Sequence, residues 1–195
     1  MRSSRTWCVT TAERALRIGL FVALALVAAS ARADWSPFAP ADARFAVELP
    51  GAPSIEHDST WTPVGSVSMT KYWLRIGDAL VAVEVHDIPA VASTLISDDM
   101  ILDRARDALL RDVDGTLLES RALEFAGAPA RDFLYRLPGR AQLAERVLAV
   151  LVDRRLYLVT GMARAPGEDP QVARFFSSFR CWREMGPGAA PPAAD

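Results

Sequence analysis

The stretch AQLAERVLAVLVDRRLYLVTGMARAPGEDPQVARFFSSF, residues 141–179, decides the fold. Ala141 to Val152 is a nearly unbroken apolar run closed by Asp153-Arg154-Arg155, and Leu156 to Met162 is a second, β-rich apolar run. Two such runs joined by a short polar turn read as a β-hairpin. Strands apolar on both faces belong near the centre of a sheet. Asp169 then caps a helix with Pro170 at its first position. Val172, Phe175, Phe176 and Phe179 fall at i, i+3, i+4 and i+7, one face of that helix. The stretch is a core hairpin with its packing helix, and it carries no catalytic motif.

Upstream, the same logic repeats. Thr116 to Phe125 and Pro129 to Leu137 read as strands around Ala126-Gly127-Ala128, with Phe133, Tyr135 and Leu137 on one side. Before them, Ser97 caps a helix that ends at Asp114-Gly115, with Asp98 and Asp99 in its first turn. Ile101, Ala105, Ala108, Leu109 and Val113 form its apolar face. Asp103–Arg106 and Asp107–Arg111 are spaced as surface ion pairs, worth a few tenths of a kcal/mol each. Further back, Arg44 to Leu49, Ile55 to Thr62, Ser66 to Ile76 and Ala79 to Asp87 read as hairpin-linked strands. Alternation slips near Lys71-Tyr72, where a bulge is expected. Val81, Val83 and Val85 share one face of the last strand, and Glu84 and His86 share the other. Trp35 to Asp42 reads as an irregular lead-in. The expected class is α+β: an antiparallel sheet of seven or eight strands flanked by two helices.

The chain ends read differently. Arg2, Arg5, Arg14 and Arg17 precede an apolar run from Ile18 to Ala29, and Ala31-Arg32-Ala33 supplies small residues before Asp34. That is the layout of a cleaved secretory signal over residues 1–33, with cleavage after Ala33. The apolar run is shorter than the roughly 20 residues a spanning helix needs, so no membrane span is expected in the mature chain. No cysteine lies at the cleavage point to take a lipid. Residues 34–183 are expected to form a single domain, and 184–195 a disordered Pro/Ala/Gly-rich tail. Five of the 22 basic residues and one of the 24 acids precede Asp34, leaving 17 against 23, a net of −6. That balance argues against nucleic acid as a partner. Cys181 is the one cysteine after residue 33, so no internal disulfide is available.

Candidate sites are few. Gly65-Ser66-Val67-Ser68 lacks the second glycine of a nucleophile elbow. Glu84 and His86 point the same way from one strand, and with His57, and Asp58 or Asp87, they could supply metal ligands, although the clustered spacing of a zinc site is missing. Asp99, Asp103 and Asp107 form an acidic stripe at i, i+4 and i+8 that could meet a basic partner or simply face solvent. Trp61, beside Pro63, is a loop aromatic available to a ligand.

Several local patterns resemble the PsbP-like family. They are Phe45-Ala46-Val47-Glu48-Leu49-Pro50-Gly51, Val83-Glu84-Val85-His86-Asp87-Ile88-Pro89, Gly127-Ala128-Pro129-Ala130-Arg131-Asp132-Phe133, Arg154-Arg155-Leu156-Tyr157, and Arg174-Phe175-Phe176-Ser177-Ser178-Phe179-Arg180. The resemblance covers nearly all the chain after residue 33. It implies the α/β/α sandwich that this family shares with the Ran-binding Mog protein, and it implies no catalytic residue.

Residues and resemblance together lead to an exported, periplasmic or secreted, non-catalytic binding or accessory protein, monomeric and without cofactor, that contacts another protein. Trp61, Asp99, Asp103 and Asp107 are its candidate partner surface. A small exported hydrolase or metal-dependent enzyme using His57, Glu84 and His86 is the alternative. A small-ligand binder with a pocket between the sheet and a helix is the third reading.

Overall fold

The computed structural model describes residues 34–62, 65–91, 96–139 and 142–183. The expected signal segment, the tail from residue 184, and Pro63 lie outside the described residues. The described chain carries ten strands and two helices longer than a turn. These are β1 (Ser36–Phe38), β2 (Phe45–Leu49), β3 (Ser54–Thr62), β4 (Gly65–Ile76), β5 (Ala79–Asp87), α1 (Asp98–Asp112), β6 (Thr116–Phe125), β7 (Ala128–Arg136), β8 (Ala144–Val152), β9 (Arg155–Ala163), α2 (Pro170–Ser178) and β10 (Arg180–Cys181).

Two meanders, β3–β5 and β6–β9, join through an antiparallel β5–β9 pairing into one sheet of order β3-β4-β5-β9-β8-β7-β6. The hairpin of residues 144–163 is therefore central, as its two-sided apolar sequence requires. Alternation sends Val81, Val83, Val85, Val150, Tyr157 and Val159 to one face. Val147, Ala149, Leu151, Leu156 and Leu158 go to the other. Helix α2 packs on the first face, with Val172, Phe175 and Phe176 buried and Phe179 following at its end. Its start is capped as expected: Asp169 Oδ1 accepts from the Gln171 and Val172 amides at 2.9 and 3.0 Å. Helix α1 packs on the second face, over β7 and β8. Its cap is Ser97, whose Oγ accepts from the Met100 amide at 3.3 Å.

Three features depart from the sequence expectation. A second sheet, β1-β2-β10, lies on the α2 side, so Ser36–Phe38 is a strand and not an irregular lead-in. It closes an aromatic cluster in which Phe45 meets Tyr72, Tyr157 and Phe179 at centroid distances of 5.4, 6.3 and 6.0 Å. The bulge is also elsewhere. Register through Lys71-Tyr72 is continuous, because β4 pairs without interruption on both sides. The slip falls at Leu117/Glu119 in β6. Finally, Asp107 pairs with Arg106 at 2.8 Å in place of Arg111, while the expected Asp103–Arg106 pair forms at 3.3 Å.

Candidate functional site

Helix α1 covers β7 and β8 but leaves the same face of β5 and β9 partly open. A groove of about 600 Å³ runs along the helix there. Ile101, Ala105, Ala108 and Leu109 form its helical wall, Leu156 and Leu158 of β9 its floor, and Ile88 and Ile96 its end. Glu84 and His86 rise from the floor, and Arg104 and Asp112 stand on the α1 rim. The volume lies within the usual range of small-ligand sites, and so does the pattern of apolar walls with a few convergent polar groups.

The polar floor is built by strand register. Gly77-Asp78 closes a two-residue turn that places Lys71 opposite Glu84, and Lys71 Nζ lies 2.8 Å from Glu84 Oε1. His86 Nε2 is 3.4 Å from Glu84 Oε2. Burial alone would raise the Glu84 carboxyl, but the bonds from His86 and Lys71 outweigh it and hold it below the usual carboxylate range. Glu84 is thus an anion at the polar end of an apolar groove.

Beyond Glu84 on this face lies a second carboxyl of opposite tendency. Glu145 Oε2 accepts the Tyr135 hydroxyl at 2.6 Å. Burial pushes the Glu145 carboxyl up, only partly opposed by its bonds from Tyr135 and Thr160 and by the Lys71 charge.

The sequence-derived candidates are distributed over three places. Glu84 and His86 share the groove. His57 pairs with Thr70, which pairs with Val85, so His57 opens on the opposite face of the sheet. Its Nδ1 is 3.1 Å from Thr70 Oγ1. The trio His57, Glu84 and His86 therefore does not converge, because one-residue alternation separates them. Among the described residues no group of three His, Cys, Asp or Glu is placed to hold a metal ion. Asp58 shares the groove side of the sheet but stands on the exposed β3, and Asp87 pairs with Arg155 at 2.8 Å. Asp99 and Asp103 turn to Arg131 of β7, each at 3.0 Å, so two members of the acidic stripe fasten α1 to the sheet. Trp61 is 79% exposed, on a strand and not in a loop. Cys181 is partly buried, and burial pushes its thiol up to about 12, away from a reactive thiolate.

A second cavity, of about 620 Å³, lies on the α2 face beyond the helix. Its charges answer one another: Asp132 accepts from Arg146 at 3.0 Å and from Arg121. Burial would raise Asp132, and the two guanidiniums outweigh it, so its carboxyl is lowered.

Leu156, Leu158 and Arg104 line the groove without having stood out in the sequence. Comparison with solved structures finds cyanobacterial PsbP from Synechocystis sp. PCC 6803, 13% identical, with a TM-score of 0.53 over 79% of this chain and 96% of that one. The fold is PsbP-like. The protein of unknown function PA94 from Pseudomonas aeruginosa also matches, 13% identical, with a TM-score of 0.40 over 77% of this chain and 99% of that one. No protein-family profile and no curated protein matches the chain. At this identity the PsbP-like likeness speaks for the architecture, and the groove must be read from its own residues.

Proposed function

We propose that the protein is an exported, non-catalytic binding protein that holds a small amphiphilic ligand along α1. The observation that carries this reading is the groove itself: about 600 Å³, walled by aliphatic side chains, with one anchored carboxylate–imidazole pair at its floor. An elongated apolar body fits against Ile101, Leu109, Leu156 and Leu158. Glu84, whose oxygens already meet Lys71 and His86 and keep further acceptor capacity, suits a head group that donates hydrogen bonds, a primary amine foremost. The non-catalytic reading rests on the lining, where no hydroxyl or thiol nucleophile stands beside His86 among the described residues. Export rests on the sequence of residues 1–33.

Calorimetric titration with dodecylamine tests it, against dodecanoate as the matched acid. The amine is expected to bind, and Ala108→Trp, which fills the groove from α1, is expected to abolish binding. Equal binding of the acid, or binding of the amine unaffected by Ala108→Trp, would overturn the reading.

A further inference from the structure

The seven-stranded sheet ends on β3 and β6, and the two edges are guarded differently. β6 breaks register at Leu117/Glu119 and sets Arg121 along its length. β3 runs nine residues against β4 with no shift, and Ser54–Thr62 contains neither proline nor lysine. Bulges, prolines and charged side chains, lysine above all, ordinarily keep an edge strand from accepting another strand, and of these β3 carries only the acidic Glu56 and Asp58. Among the described residues β3 pairs with β4 alone. Every second residue of β3 therefore turns its N–H and C=O away from β4, and of these the Ser59 N–H donates to Asp58 Oδ1 at 2.7 Å, a local bond that an incoming strand would replace.

Alternation sorts the side chains of this edge by chemistry. Glu56 and Asp58 stand opposite Lys71 and Met69, on the face that carries α1. Ile55, His57 and Trp61 stand on the other face, with Ile55 53% and Trp61 79% exposed. One strand thus offers an edge that meets no second strand among the described residues, an acidic row on one side and two large apolar side chains on the other.

We infer that β3 is a strand-addition site for an extended segment of a partner protein whose residues alternate between basic and apolar. The incoming backbone completes the ladder. Its lysines or arginines lie beside Glu56 and Asp58, and its aliphatic residues cover Ile55 and Trp61. A second copy of this chain fits poorly. Antiparallel pairing of β3 with itself would bring Glu56 and Asp58 of both copies onto one face, and like charges there oppose pairing. This site is separate from the groove and stands or falls without it.

Amide hydrogen exchange by NMR tests the inference on the mature protein, with a synthetic peptide of alternating lysine and valine as long as β3. The peptide is expected to slow exchange at alternate amides of β3. Asp58→Lys is expected to weaken the peptide about three- to fivefold, the effect of one surface ion pair, and to improve a glutamate–valine peptide. Trp61→Ala is expected to weaken both peptides. A lysine–valine peptide with proline at its centre, which cannot complete the ladder, is expected not to bind. No protection at β3, protection along α1 in its place, equal binding of the proline peptide, or dimerisation of the chain through β3 would each overturn it.

Discussion

Gly161 of β9 lies directly beneath Val172 of α2: a Cβ at position 161 would come within 2.6 Å of Val172 Cγ1 and 2.8 Å of a Phe176 ring carbon. The helix rests on bare backbone at this point. Gly161→Ala is expected to cost about 1–3 kcal/mol in urea unfolding, the usual penalty of overpacking. An unchanged midpoint would mean that α2 does not seat on β9 as described.

Phe176→Ala probes the same contact from the helix. Phe176 is 8% exposed, and Arg146 stacks over its ring at 4.6 Å. Truncation should cost about 3–5 kcal/mol, and a loss below about 1 kcal/mol would contradict a docked α2.

Asp132, held between Arg121 and Arg146, gives an acid-dependent effect. Its folded carboxyl lies below the unfolded value of about 3.9. Its stabilisation is therefore fully present above that value and is lost as pH falls through the folded one. Asp132→Asn should cost about 2 kcal/mol at neutral pH, softened by the exposure of Arg121. The difference from wild type should shrink below about pH 4. A constant difference down to pH 2 would contradict the pairing.

Glu145 predicts the opposite sign. Its folded carboxyl is raised, so the native state takes up a proton before the unfolded chain does, at about 4.3. Stability from this group rises as pH falls from the folded value towards the unfolded one. Glu145→Gln, which can still accept from Tyr135, should stabilise the protein at neutral pH and remove that slope. Marked destabilisation at pH 7 would show that the carboxylate is favourably held.

Export has its own check. Mass spectrometry of the protein recovered outside the cytoplasm should find Asp34 at the amino terminus. Recovery in the cytoplasm with residues 1–33 attached would contradict it.

Much of this architecture could be read in advance where signals are local. The central hairpin, both helix caps and the burial of Val172, Phe175, Phe176 and Phe179 follow from periodicity and turn chemistry. The Lys71–Glu84 pair was also within reach, since the turn at Gly77-Asp78 sets the β4–β5 register. What escaped depends on long-range pairing. Ser36–Phe38 is a strand only because Val47 to Leu49 lies beside it. His57 is parted from Glu84 by a register that a weakly patterned β3 does not announce. The groove exists because α1 sits over β7 and β8 while β5 meets β9, a pairing between residues far apart in the chain.

The most direct test of the groove as the binding site is an NMR titration of the protein with dodecylamine. The account predicts shifts confined to the methyls of Ile101, Leu109, Leu156 and Leu158 and to the His86 ring, with the Trp61 indole unmoved. Shifts centred on Trp61 and β3, or none along α1, would contradict it.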